Sequence, residues 1–148
     1  MIEIRVERTI DRPIDVVFDR LAAVDHYDDW LPPSMIFVDS RLSEDGAQIG
    51  PGTEFYDSTR FGQLLGKITE YDPPTRISFL QRLRWGGVDV FESRPAYTLT
   101  SRNDQTHVVH EGVGRFFGVF RVLDPIGRLM ADRERSRVVD ALKQSLEG

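Results

Sequence analysis

The chain has 148 residues, no cysteine, and 24 acidic against 19 basic side chains, a formal net charge of −5. That length suits one domain burying its own core, so a single domain over 1–148 is expected, with no disulfide or metal staple required. The missing thiols exclude disulfides, thiolate catalysis, Cys-ligated zinc and iron–sulfur clusters, and the acidic balance, with a pI of about 5.2, argues against a nucleic-acid partner.

The opening run Met1-Ile2-Glu3-Ile4-Arg5 alternates charge and aliphatic side chains, unlike a signal peptide. The longest greasy stretch, Phe116 to Phe120, is too short to span a bilayer. A cytoplasmic protein without an integral membrane segment is expected.

Residues 2–10 set Ile2, Ile4, Val6 and Ile10 against Glu3, Arg5, Glu7 and Thr9, the alternation of a half-buried strand. Arg8 falls on the apolar side, so its stem must reach an edge or a polar cavity. Asp11 and Pro13 then open a helix whose Ile14, Val17, Phe18 and Leu21 form one apolar stripe. A second short helix is expected from Asp25 to Leu31, stopped by Pro32-Pro33.

The middle of the chain reads as strands at Met35–Leu42, Thr53–Phe61, Leu64–Tyr71, Thr75–Arg84, Val88–Thr100 and Thr106–Phe117. Their separators are Asp45-Gly46, Gly50-Pro51-Gly52, Gly62, Asp72-Pro73-Pro74, Gly86-Gly87 and Arg102-Asn103-Asp104. Such short connectors imply hairpins and an antiparallel sheet. Pro95, inside Val88–Thr100, must sit on an edge or at a bulge, and a bulge is expected because the sheet must bend.

From Leu123 to Leu146 the period becomes helical. Ile126, Met130, Val138, Leu142 and Leu146 share a face, Glu134 lies between two of them, and Arg133, Arg135 and Arg137 leave much of the rest polar. About 20 residues make a helix of roughly 30 Å, enough to cross a small domain. The predicted class is α+β, with about seven strands curved around a long C-terminal helix and two short helices after strand 1.

Four stretches carry a resemblance to a known family. They are Asp11-Arg12-Pro13-Ile14-Asp15-Val16-Val17-Phe18 with Trp30-Leu31-Pro32; Gly66-Lys67-Ile68-Thr69-Glu70-Tyr71-Asp72-Pro73-Pro74-Thr75-Arg76-Ile77-Ser78-Phe79; Tyr97-Thr98-Leu99-Thr100 with Thr106-His107-Val108; and Leu123-Asp124-Pro125-Ile126 leading to Leu142-Lys143-Gln144-Ser145-Leu146-Glu147. In order and spacing the chain resembles the START-like (SRPBCC, Bet v 1-like) superfamily, and within it the polyketide cyclase/dehydrase-type branch. The resemblance implies a helix-grip fold with an elongated cavity between sheet and last helix. It leaves function open, since this fold hosts lipid transfer, hormone binding, aromatic cyclisation and chaperone activation.

The candidate chemistry is sparse. His107 and His110 are three apart on a strand and so point to opposite faces, and His26 lies on a distant helix, so neither a metal site nor a cofactor is expected. His110 is the best candidate for a catalytic group, as a base near neutral pH. One frame turns it inward with Val108, Gly112, Gly114 and Phe116, the glycines leaving room for a ligand. The other turns Val109, Glu111 and Val113 inward instead, and parity alone leaves both open. The cavity frame is the one adopted.

Singly, Trp30, Tyr56, Phe79, Trp85, Phe91 and Tyr97 suit ordinary core packing. As a set they suit an apolar pocket with a few polar anchors. The expected cavity lining is Trp30, Tyr56, Phe79, Phe91, Tyr97, His110, Phe116, Met130 and Glu134, with Trp85 at a hairpin tip beside the mouth. Glu134 either pairs inside with Arg60, Arg82 or Arg115 or reaches water at the stripe's margin. Arg133-Glu134-Arg135 reads best as a solvated face. Neither a phosphate loop nor a hydrolase triad has support.

Three functions compete. The first is sequestration or transport of a small apolar molecule such as a lipid, polyketide or isoprenoid. The second is a polyketide cyclase or dehydratase using the same cavity, and the third a chaperone-activator-like interaction module. A monomer, or a homodimer through an edge strand, is expected.

Overall fold

The computed structural model describes residues 1–34, 37–44 and 46–148. Its elements are β1 (Ile2–Ile10), α1 (Ile14–Ala22), a 3-10 turn at Tyr27–Asp29, β2 (Phe37–Leu42), β3 (Glu54–Thr59), β4 (Gly62–Asp72), β5 (Arg76–Trp85), β6 (Val88–Arg102), β7 (Gln105–Phe116), a 3-10 stretch at Gly118–Leu123 and α2 (Asp124–Glu147). The strands form one seven-stranded antiparallel sheet in the order β1-β7-β6-β5-β4-β3-β2. The expected start of β2 at Met35 and the Asp45 of the Asp45-Gly46 turn lie outside the described residues.

Hairpins β3 to β7 follow from their connectors. Trp85 pairs with Val88 across Gly86-Gly87 (φ 57° and 83°), and Arg102 with Gln105 across Asn103-Asp104 (φ 50° and 67°). Two successive positive φ values make the turn that matches strand twist, which glycine, asparagine and aspartate adopt most readily. β1 reaches the far edge by pairing with β7, from Ile2 opposite Gly114 to Ile10 opposite Thr106.

One expectation is narrowed and one corrected. The Asp25–Leu31 segment makes only the 3-10 turn at Tyr27–Asp29: four of its seven residues are Asp or His, and Pro32-Pro33 leaves no room for a second turn. Pro95 is not at a bulge. β6 is an interior strand, and its ladder with β5 lapses between Ser78–Ala96 and Gln81–Ser93 without a change of register, while Pro95 still faces Gly112 of β7. A residue lacking N–H is accommodated by omitting bonds on one side; the irregularity in this pair falls at Leu83/Arg84 instead.

The core occupies one end. Ile10, Val17, Phe18, Leu21, Ile68, Ile77, Leu99 and Val108 pack with Val139, Leu142 and Leu146 of α2. Arg8, on the inner face of β1, donates from Nε to Asp140 Oδ1 at 2.8 Å and so tethers that half of the helix. The first half of α2 is different: Ile126 is 59% exposed and Leu129 53%. The apolar face continues there, but it roofs a void rather than a packed core.

Candidate ligand-binding cavity

The void beneath the start of α2 is a chamber of about 310 Å³. Its walls are almost wholly apolar: Ile2 and Ile4 of β1, Leu83, Val90 and Phe91 of β5 and β6, Gly112, Gly114 and Phe116 of β7, and Leu123, Ile126, Met130 and Ala131 above. Phe61 and Trp85 stand at its mouth, half exposed. Trp85 Nε1 donates to the Phe61 carbonyl at 2.7 Å, and its ring meets Phe120 edge-on at 5.5 Å. Beside this mouth Val119 and Val122 are 80% and 79% exposed.

A second, smaller chamber of about 60 Å³ adjoins it, the two sharing Thr59, Leu64, Pro95, Glu134 and Arg135. Polar groups gather here. Asp57 of β3 and Gln81 of β5 face inward because Phe55, Phe79 and Leu83 of the same strands do. Gln81 Nε2 donates to Asp57 Oδ2 at 2.8 Å. Asp57 Oδ1 and Gln81 Oε1 are buried without a hydrogen-bond partner among the described residues. Burial pushes the Asp57 carboxyl up to about 7, against the opposing pull of Arg135 and the Gln81 bond. Tyr97 and Tyr27 also line this chamber, and burial raises both phenols.

Glu134, at the junction, is buried and held. Arg137 donates to its carboxylate at 2.6 and 3.2 Å, and the Ser34 hydroxyl at 3.3 and 3.4 Å. The expected inner partners do not supply this pair. Arg60 donates to the Ser34 carbonyl, while Arg82 and Arg115 occupy outward strand positions beside Glu92. Arg135, read from sequence as part of a solvated face, borders both chambers. One helical step beyond Glu134, its long side chain reaches inward while its backbone stays at the rim.

The expected lining residues divide. Phe91, Phe116 and Met130 line the large chamber, Phe79 and Tyr97 the small one, and Glu134 both. Tyr56 lines neither: Phe55 and Asp57 point in, so their neighbour points out. Trp30 packs on Tyr27 at 4.9 Å beside Leu31 and Phe37, behind the wall of the small chamber and lining neither.

His110 takes the inward frame with Val108, Gly112 and Gly114, yet it is fully buried and reaches neither chamber. Its ring stacks on Tyr97, Nδ1–H donates to the Ala96 carbonyl at 3.1 Å, and Nε2 is unpartnered among the described residues. Burial, helped by Arg135, lowers its pKa to about 3 against the Ala96 bond. The room expected beside the glycines is partly taken by aromatic packing, since a Cβ on Gly114 would lie 2.7 Å from Phe91 Cζ.

Asp57, Gln81, Arg135 and Tyr27 escaped the sequence reading. The signal for two of them was available: Asp57 and Gln81 occupy strand positions whose alternate neighbours are large and apolar, where a polar residue is out of place.

Among the described residues, no group of three or more His, Asp or Glu side chains is arranged to hold a metal ion, and no helix is long and apolar enough to cross a membrane. Among curated proteins no sequence match was found. Solved structures do match. A START superfamily protein from Mycobacterium smegmatis is 12% identical with a TM-score of 0.76, covering 98% of this chain and 97% of that one. TTHA0849 from Thermus thermophilus is 14% identical at 0.76, covering 97% and 96%. Mll3558 from Rhizobium loti is 23% identical at 0.70, again covering 97% and 96%. These similarities extend across a helix-grip fold of the START and Bet v 1 kind. A family model matches residues 1–147, and the chain therefore belongs to the polyketide cyclase / dehydrase and lipid transport family.

Proposed function

We propose that the chain binds a small hydrophobic ligand in the chamber between the sheet and the first half of α2. The observation that carries this reading is an opening into about 310 Å³ of apolar space. Apolar walls of that extent hold water poorly and gain by taking up hydrocarbon, and the size falls in the range of small-molecule sites. The reading is tested by titrating N-phenyl-1-naphthylamine, whose fluorescence rises in apolar surroundings, against wild type and Ala131→Phe. Saturable one-to-one binding that the phenylalanine abolishes is the expected result. Binding indifferent to that substitution, or none at all, refutes it.

A second reading, a cyclase or dehydratase acting in the same space, is favoured by Asp57 alone. A carboxyl with a pKa of about 7 beside Arg135 is suited to moving a proton at neutral pH. His110, shielded behind Tyr97, is not. Turnover of an offered polyketide that Asp57→Asn stops, with binding retained, would establish this second reading.

A further inference from the structure

The large chamber explains an apolar body but not the polar groups at its inner end. Asp57 Oδ1 and Gln81 Oε1 are buried acceptors with no donor among the described residues. Arg135 borders both chambers and acts on Asp57 and Tyr97 electrostatically. Buried polar atoms left unpaired are costly, and they discriminate strongly in favour of a ligand that pairs them.

The charges at this end decide what such a ligand carries. Glu134 is already matched by Arg137, and Arg135, which lines the same small chamber as Asp57, acts on it by charge. Above about pH 7, where Asp57 is ionised, an anionic head would add a negative charge beside two carboxylates in a low-dielectric site, and a cationic head would sit against Arg135. A bare hydrocarbon would leave both acceptors unpaired.

Resting on the cavity reading above, we infer that the ligand bears an uncharged hydroxylated head. The hydroxyl lodges where the two chambers meet, donating to Asp57 or Gln81 and accepting from Arg135. The apolar body fills the large chamber behind it.

The test is displacement of N-phenyl-1-naphthylamine by naphthalene, 2-naphthol and 2-naphthoate, one body with three heads, at pH 8. In wild type, 2-naphthol is expected to bind at least about tenfold tighter than naphthalene, and 2-naphthoate no tighter than naphthalene. In Asp57→Leu/Gln81→Leu the naphthol preference is expected to shrink to within about twofold while naphthalene still binds. Gln81→Met serves as the milder variant should the double one misfold, and is expected to lower the preference in part. Equal binding of naphthol and naphthalene in wild type overturns the hydroxyl head but leaves the cavity reading standing. So does tightest binding by naphthoate, or a preference that survives both variants. Failure of the reporter itself to bind wild type removes the cavity reading and the head with it.

Discussion

Tyr97 on β6 and His110 on β7 face each other with their rings stacked, centroids 4.1 Å apart and planes 13° from parallel. The phenol closes off the imidazole from the small chamber, and the Ala96 carbonyl fixes the proton on Nδ1. Position and protonation are thus set together: a neutral ring with a lone pair on Nε2 and no route to a ligand.

His110 is expected to stay neutral from pH 8 down to pH 4, read from its ring nitrogen shifts by NMR. The folded pKa of about 3 lies below the ordinary 6.5, so the unfolded chain takes up a proton the folded one refuses. Stability is therefore whole above pH 6.5 and lost as pH falls toward 3, at about 1.4 kcal/mol per unit. His110→Gln should flatten this slope in urea melts; an unchanged slope would refute the buried neutral ring.

Asp57 acts with the opposite sign. Its folded pKa of about 7 exceeds the ordinary 3.8, so the folded state holds a proton that the unfolded chain has released. That contribution is complete below pH 3.8 and lost as pH rises through about 7. Asp57→Asn is expected to stabilise the protein more at pH 8 than at pH 4, by up to about 1.4 kcal/mol per unit of the window crossed. Equal effects at both pH values would show that the carboxylate is not buried as described.

Gly114→Ala places a methyl 2.7 Å from Phe91 Cζ, whereas Gly112→Ala meets nothing closer than Ile4 Cγ1 at 3.3 Å. Overpacking at position 114 is expected to cost about 1–3 kcal/mol, and less at 112. Phe91 lines the chamber, so a ring displaced by Gly114→Ala should also weaken reporter binding. Comparable denaturation midpoints for the two variants would contradict this packing.

On the outer face, Glu92 is only 3% exposed and is contacted by Arg94, Arg115 and Arg82 at 2.8, 3.1 and 3.8 Å. Burial pushes its carboxyl up, but the Arg115 hydrogen bond and the arginine charges outweigh it and hold the pKa below the ordinary 4.5. Its contribution is present above that value and lost as pH falls. Glu92→Ala is expected to cost about 1–3 kcal/mol at pH 7, and Arg94→Ala under about 1 kcal/mol, because the arginine is exposed. Thermal melts giving the reverse order would overturn this account.

What the sequence made legible was periodic. Ile2, Val6 and Ile10 mark the inner face of β1, and Gly86-Gly87 and Asn103-Asp104 mark two of the hairpins. Glu134 stands out because the stripe of α2 breaks there. The site was less legible because aromatic identity outweighs parity in such a reading: Tyr56 looks like a lining residue although Phe55, beside it, cannot share its face. Arg135 escapes for another reason. Its backbone lies off the stripe, and only the length of the side chain brings it to the junction of the chambers. Nor can parity show that Tyr97 stands between His110 and the cavity, since both point inward.

The two halves of α2 differ in more than exposure. Val138, Val139, Leu142 and Leu146 seat the C-terminal half, which Arg8, Arg12 and Arg20 further secure through Asp140, the Leu146 carbonyl and Ser145. The segment from Asp124 to Met130 roofs the chamber and meets the sheet at fewer points, Gly127 against Phe116 and Ile2 and Arg128 on the Met1 carbonyl. Amide hydrogens there should exchange through a local opening far cheaper than global unfolding, while those near Val139 exchange only with the whole molecule. A guest in the chamber would then have its dwell time set by the loose end of the helix and the lifetime of the fold by the tight end. Release and unfolding can be tuned separately by substitutions one or two turns on either side of Glu134.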